Sequence, residues 1–164
     1  MSAGAYVLVR FSDRDKLLPA IEALDGMNKI SRWDAVDGHF NLIVKLESND
    51  PKLVEKISKL DGCSDIASCE LMSDNDNGSA PTTDYSYSYI FVETERYQQK
   101  AVQSSIEKNE DVAFCSPTSG NCDLVALVKG ENFDLIDRTV NTTIRQLDGV
   151  LRLKQDRVIF LDRM

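Results

Sequence analysis

Two short hairpin segments carry the residues whose types and spacing could bind a small polar ligand. Gly38 and Gly120 each open a turn that has an amide or a carboxylate three positions later, at Asn41 and Asp123. Glycine tolerates a positive φ and lets backbone amides approach a ligand carboxylate closely. A carboxylate can accept hydrogen bonds from a ligand ammonium group. The predicted ligand-contacting residues are Gly38, His39, Asn41, Gly120, Asn121 and Asp123.

Each of these residues also has a purely structural interpretation, which the sequence leaves open. The two glycines fit turn geometry alone, and Asp123 can hydrogen-bond amides of its own loop. His39 fits an exposed turn residue as well as it fits a ligand contact.

The chain offers little for catalysis or for metal binding. His39 is the only histidine, so no Ser/His/Asp or Cys/His pair recurs in both halves. The cysteines at 63, 69, 115 and 122 lack Cys-x-x-Cys spacing, and no Gly-rich phosphate loop occurs. We therefore predict no enzyme, no catalytic residue, no metal site and no cofactor. The cysteines are interpreted as reduced thiols, with a disulfide or a reactive thiol as the alternative.

The elements that position the two hairpins occur twice in the same order. Each hairpin is preceded by an apolar strand and followed by an amphipathic helix and a Leu-Asp-Gly triplet, at 60–62 and 147–149. Such an internal repeat indicates a duplicated βαββαβ unit. A βαββαβ unit is ferredoxin-like, with an antiparallel sheet that carries both helices on one face. The sequence predicts an α+β fold with a first repeat at 1–72, a linker at 73–84 and a second repeat at 85–164.

Apolar spacing predicts which faces of the elements are buried. The segment 122–128 is apolar on both faces, so we expect burial on both faces, with a second sheet covering the face opposite the helices. A single helix is predicted around 133–147. Two one-sided patterns are also expected, one in the first helix at Leu17, Leu18, Ile21 and Leu24, and one in the third strand at Phe40, Leu42, Val44 and Leu46.

Charge and hydropathy exclude several classes of protein. The net charge is −8, and the basic residues are scattered, the densest being at 152, 154 and 157. Nucleic-acid binding needs a clustered basic face, so we predict no direct contact with DNA or RNA. No apolar run approaches the ~20 residues that span a membrane. The N-terminal residues lack the pattern of a secretory signal, so we expect a cytoplasmic protein.

The repeated Gly-x-x-[Asp/Asn]-Leu hairpin, at 38–42 and 120–124, and the Leu-Asp-Gly before each last strand resemble the C-terminal effector-binding domain of Lrp/AsnC (feast/famine) regulators. The resemblance covers residues 5–72 and 87–162. It implies sheets that pair face to face as a dimeric α/β barrel, formed either by the two repeats of one chain or by the repeats of two chains. It also implies small effectors, typically amino acids, bound near the Gly-x-x-Asp loops, and further oligomeric assembly. Because the first strand begins at about residue 5, we expect no helix-turn-helix.

The resemblance implies a regulatory protein that binds a small-molecule effector, an amino acid by analogy, without a DNA reader of its own. Only the second repeat keeps the family's carboxylate, so we expect it to hold the better effector site, and Asp123→Ala to reduce affinity more than Asn41→Ala. One alternative is an assembly module that forms hetero-oligomers with full-length Lrp-like regulators and binds no small molecule. Another is a dimeric α/β-barrel enzyme, a class whose sites generally need polar groups inside the barrel.

Overall fold

The structure is a computed structural model that describes residues 4–72 and 80–160. Within these residues, eight strands and four α-helices follow one order twice. The elements of the first half are β1 (Ala5–Phe11), α1 (Leu17–Asp25), β2 (Ile30–Asp37), β3 (Leu42–Leu46), α2 (Pro51–Ser58) and β4 (Cys63–Leu71). Those of the second half are β5 (Ser86–Thr94), α3 (Gln99–Glu107), β6 (Val112–Gly120), β7 (Leu124–Gly130), α4 (Phe133–Thr139) and β8 (Val150–Ile159). Most of the predicted linker, and the last four residues of the predicted second repeat, lie outside the described residues.

All eight strands belong to one closed barrel with the order β1-β3-β2-β8-β5-β7-β6-β4. Every neighbouring pair is antiparallel. The two halves meet at β2–β8, where 35–37 pair with 157–159, and at β4–β6, where 69–71 pair with 118–120. The α+β prediction is confirmed.

Capping side chains and a proline determine where α2 and α4 begin. The side chain of Asp50 accepts from the N–H of Lys52 at 3.0 Å, and Pro51 occupies the first position of α2. Asn132 caps α4 in the same way. The single helix predicted around 133–147 instead changes after Thr139 into a π-helix at Val140–Ile144, a stretch rich in β-branched residues. None of the helices within the described residues is long and apolar enough to cross a membrane.

The core has three layers, because both faces of the barrel wall are apolar. Aromatic side chains fill the inside of the barrel, whereas aliphatic side chains on the outside pack under α1 and α2 or under α3 and α4. Strand β7 shows the division, since Val125 and Leu127 point inward and Leu124, Ala126 and Val128 face the helices. The main aromatic residues inside the barrel are Tyr6, Phe40, Tyr87, Tyr89, Phe91 and Phe114.

Two of the expected side-chain patterns are wrong in detail. Phe40 does not share a face with Leu42, because it precedes β3 and turns into the barrel. Cys122 makes the same inward turn before β7, at the corresponding place in the second half. Leu18 is 60% exposed. The residues of α1 that are buried are Ala20, Ile21 and Leu24, so Leu18 lies outside the buried face of the helix.

Removing one ring from the barrel interior should destabilise the whole fold. Phe114 stacks on Tyr6 at a centroid distance of 6.3 Å and meets Tyr89 edge-on at 6.4 Å. We expect Phe114→Ala to lower the free energy of unfolding by ~3–5 kcal/mol, because a buried cavity replaces the ring. Leu151→Ala is the control, since Leu151 is 64% exposed and should change it by less than ~0.5 kcal/mol. Equal losses in urea unfolding would contradict this core.

Candidate functional site

Each hairpin is tied to the end of the first strand of its own half by the residue three positions after the glycine. Asn41 Oδ1 accepts from the N–H of Phe11, and Asp123 Oδ2 accepts from the N–H of Thr94, both at 2.8 Å. An amide and a carboxylate therefore make the same bond at corresponding places. Both side chains brace the loops from behind, through backbone donors of β1 and β5.

Each hairpin also lies against the last strand of the other half. A Cβ atom at Gly38 would overlap the carboxylate of Asp156 in β8, and one at Gly120 would lie 2.7 Å from the carbonyl oxygen of Ser68 in β4. Asn121 donates its N–H to that Ser68 oxygen at 3.2 Å and accepts from the Ser68 N–H at 3.0 Å. Glycine is required at both turns because the strands approach so closely.

Asp156 is a buried carboxylate that holds the first hairpin from the neighbouring strand β8. It accepts from the backbone N–H of His39 at 2.6 Å and of Phe40 at 3.2 Å. Burial raises the pKa of Asp156 to about 6, against the effect of these two donors, which favour the ionised form. Asp156 was not predicted from the sequence, although a carboxylate on the same face of a strand as Val158 is a signal for a buried acceptor.

A cavity of about 100 Å³ lies between the two hairpins at this end of the barrel. Its floor is apolar, with Phe40 and Phe91 among the lining residues, and Asn121 lines it from the second hairpin. Three charged side chains complete the lining, namely Glu93, Arg152 and Lys154. Such a combination of a small apolar floor and a few polar groups is typical of ligand sites.

The charges in the cavity have both signs and lie close together. Arg152 Nε is 3.5 Å from Glu93 Oε2, and the ammonium group of Lys154 lies 6.0 Å from the centre of the Phe40 ring. Glu93 of β5 pairs in register with Arg152 of β8. At the corresponding positions of the first half the charges are reversed, because Arg10 of β1 pairs with Asp65 of β4. This end of the barrel therefore presents both cationic and anionic side chains.

The six predicted residues play different parts in this arrangement. Asn121 lines the cavity, and Gly38 and Gly120 allow the hairpins to dock. The ring of His39 is exposed and packs edge-on against Phe40 at 5.0 Å. Partial burial, together with the cations Lys154 and Arg10, lowers the pKa of His39.

The charged lining residues were not predicted. The alternating basic residues at 152 and 154 were visible in the sequence, but only barrel closure brings them to the hairpins.

The opposite end of the barrel is held by a buried polar network. The Tyr89 hydroxyl donates to Asp34 Oδ2 at 2.6 Å and accepts from the Arg32 guanidinium at 3.2 Å. Burial raises the pKa of Asp34 and of Tyr89, so both groups hold their protons more tightly than usual. The Tyr89 hydroxyl thus both donates and accepts a hydrogen bond inside the core, which favours one fixed geometry.

The thiol of Cys69, which lines the cavity, has a raised pKa. A hydrogen bond to Cys122 and burial both raise the pKa of Cys69, and a thiol in this state is a poor nucleophile and a poor metal ligand. No group of three or more potential metal ligands occurs among residues 4–72 and 80–160.

Comparison with known families identifies the second half of the chain. Residues 88–159 match the family model of the Lrp/AsnC ligand binding domain. This half of the chain is therefore similar to an Lrp/AsnC ligand-binding domain. The matched segment runs from β5 through β8, and therefore includes the hairpin of Asn121 and Asp123 and the strand that carries Arg152, Lys154 and Asp156. No curated protein matches the chain.

Solved structures share the fold over nearly the whole chain. The siroheme decarboxylase NirDL is 11% identical, covers 96% of this chain and 71% of its own, and has a TM-score of 0.77. Chlorite dismutase from Candidatus Nitrospira defluvii is 8% identical over 98% of this chain and 92% of its own, with a TM-score of 0.57. AsnC from E. coli is 12% identical over 54% of this chain and 64% of its own, with a TM-score of 0.45. At these identities, the likeness to NirDL and to chlorite dismutase shows the α+β fold alone.

The bracing bond of the second hairpin predicts that an amide can replace its carboxylate. Asp123→Ala removes the acceptor of the Thr94 N–H and should lower the free energy of unfolding by ~1–3 kcal/mol. Asp123→Asn should lower it by less than ~1 kcal/mol, because Asn41 makes the same bond in the first half. Urea unfolding of the two variants tests this. An Asn variant as unstable as the Ala variant would show that the charge, rather than the bond, holds the loop.

The raised pKa of Asp156 predicts a pH-dependent contribution to stability. The carboxyl has a pKa of about 6 in the folded protein, against an ordinary 3.8, so the folded state binds this proton more tightly than the unfolded state. The resulting stabilisation is present at acidic pH and is lost as the pH rises from about 4 through 6.

We compare the free energy of unfolding of the wild type with that of Asp156→Asn by urea titration at pH 4 and at pH 7. The free energy of unfolding of the wild type minus that of the variant should fall by on the order of 2 kcal/mol from pH 4 to pH 7. A difference that stays constant, or rises, would show that the carboxylate is ionised at both.

Proposed function

We propose that the chain is a regulatory protein that binds a small amino acid in the cavity between its two hairpins. The observation that carries the proposal is the lining of that cavity, where Arg152 and Lys154 stand beside Glu93 over an apolar floor. A free amino acid carries a carboxylate and an ammonium group a few ångströms apart. Its carboxylate would bind the two cations, and its ammonium group would bind Glu93.

The size of the cavity supports a small ligand. Its volume of about 100 Å³ is below the ~300 Å³ at which pockets for drug-sized molecules begin. The aromatic rings that fill the rest of the barrel limit the space available to a longer side chain. Glycine, alanine and serine are therefore the first candidates.

The proposal includes two Lrp/AsnC-like repeats, at residues 1–72 and 85–164, joined by a linker at 73–84. Support comes from matched local features in the two halves. Asn41 and Asp123 make the same bond to the first strand. Gly62 and Gly149, each the last residue of a Leu-Asp-Gly triplet, have φ values of +87° and +95°.

The second repeat is proposed to contribute more to the ligand site than the first. Asn121 and Cys122 of the second hairpin line the cavity, as does Phe40 of the first. Gly120 and Asp123 would act by positioning these residues, since the Asp123 side chain is bonded to β5. In the first hairpin, Gly38, His39 and Asn41 would position Phe40 in the same way.

Ligand binding would regulate assembly, either with copies of this chain or with full-length Lrp-like regulators, and would thereby influence transcription without direct DNA contact. An assembly module that binds no small molecule is the alternative. An enzyme is a further alternative, because NirDL and chlorite dismutase share the fold. The protonated state of Cys69 and the structural bonds of Asp156 do not favour either group as a catalyst.

A binding titration with a charge-neutral variant tests the proposed site. Isothermal titration of the full chain with glycine, alanine and serine should give binding for at least one of them. Lys154→Met keeps the length of the side chain but removes its charge, and should weaken that binding roughly tenfold or more, since a hydrogen bond to a charged group contributes ~1.5–3 kcal/mol.

Lys100→Met is the matched control, because Lys100 is exposed on α3 and should leave the affinity unchanged. Equal affinity in wild type and Lys154→Met would place the ligand elsewhere. The absence of binding by any of the three amino acids at millimolar concentration would favour the assembly module.

A further inference from the structure

A second, more apolar cavity lies outside the barrel, behind the first hairpin. Its volume is about 320 Å³, and it is lined by Phe11, Leu17, Leu18, Val36 and Ile159, with Asn41 and Arg14 at its edges. It is separate from the cavity at the barrel end and faces the N-terminal end of α1. We refer to it as the α1 groove.

The same place in the second half is filled by a glutamine side chain. Gln99 Nε2 donates to the carbonyl oxygen of Asp123 at 2.7 Å and to that of Thr118 at 2.9 Å. The carboxamide of Gln99 therefore bridges the end of β6 and the hairpin that follows it. Its third neighbour is the sulfur of Met72, at 3.3 Å.

The residue that corresponds to Gln99 in the first half is Leu17. The correspondence follows from the preceding residue in each helix, because Lys16 packs over Gly62 as Gln98 packs over Gly149. Leu17 offers no hydrogen-bond donor.

The two carbonyl groups that Gln99 satisfies also have counterparts in the first half. Asn41 corresponds to Asp123, because both brace their hairpin from the same position. Val36 then corresponds to Thr118, since each donates its N–H to the carbonyl oxygen of the bracing residue, at 2.9 Å and 2.8 Å. Val36 and Asn41 both line the α1 groove, so the groove has the acceptors that the Gln99 carboxamide uses, but an apolar side chain in place of the donor.

We propose that the α1 groove binds a small apolar molecule that carries a primary carboxamide. The amide nitrogen donates to the carbonyl oxygens of Val36 and Asn41, as Gln99 does in the second half. The apolar body of the ligand packs against Phe11, Leu17 and Ile159.

The charge of Arg14 affects whether the groove prefers a neutral or a positively charged hydrogen-bond donor. Arg14 lines the groove, and its guanidinium is paired with Asp37 at 2.8 Å. This cation would repel a ligand ammonium group, whereas it would not repel a neutral amide. The groove should therefore prefer the primary amide to the amine with the same apolar body.

The test uses three probes with one apolar body and different head groups: 3-methylbutanamide, 3-methylbutylamine and 3-methylbutanoate. Each is titrated into the full-length protein, and Kd is obtained from ¹H–¹⁵N chemical-shift changes. The amide should bind with the lowest Kd, and the shifts should lie at Val36, Asn41 and the start of α1. Equal Kd values for the three probes, or no amide binding up to tens of millimolar, would overturn the proposal.

A single substitution gives the second arm of the test. Leu17→Gln introduces at the α1 groove a glutamine that corresponds to Gln99 of the second half. Its carboxamide should occupy the carbonyl oxygens that the ligand would use, and should weaken amide binding tenfold or more. Glu22→Gln adds a glutamine at an exposed position of the same helix and should leave Kd unchanged. Circular dichroism and thermal unfolding confirm that both variants fold. Amide binding by a folded Leu17→Gln variant at the wild-type Kd would show that the groove is not the site.

Discussion

Barrel closure is the constraint on which the rest of this structure depends. Within the described residues, the two four-stranded sheets pair with each other at β2–β8 and β4–β6, through three residue pairs each. Without them, each half would expose two sheet edges and an aromatic sheet face, both of which favour non-specific association. Closure buries these faces against each other, and it lays the hairpin of each half on the last strand of the other.

The packing of each hairpin on the last strand of the other half creates the polar end of the barrel. The aromatic rings pack the interior, so space for a ligand remains where Gly38 and Gly120 bring the hairpins close to β8 and β4. The charged residues of β5 and β8 point to the same place, because side chains alternate along a strand. Asp156 and Asn121 then fix the backbone around the cavity across the junction between the halves, so the geometry of the site depends on closure.

Much of the local structure could be predicted from the sequence, because hairpin glycines, helix caps and apolar periodicity are local signals. The α+β class and the buried faces of β7 followed from them. Phe40 was misplaced because the residue after it, Asn41, interrupts the alternation of the strand, which a pattern of apolar residues does not reveal. The cavity could not be predicted, since Arg152, Lys154 and Asp156 become site residues only through pairing with a distant half. The α1 groove could not be predicted either, because the correspondence between Leu17 and Gln99 is visible only in the three-dimensional structure.

Amide chemical-shift mapping of the full chain during titration with glycine, alanine or serine tests the central claim most directly. If an amino acid binds between the hairpins, saturable shifts should cluster at Phe40, Asn121, Cys122 and the start of β8, from both halves of the chain. Shifts confined to one half, or clustered away from the barrel end, or none at saturating concentration, would contradict an effector site built by barrel closure.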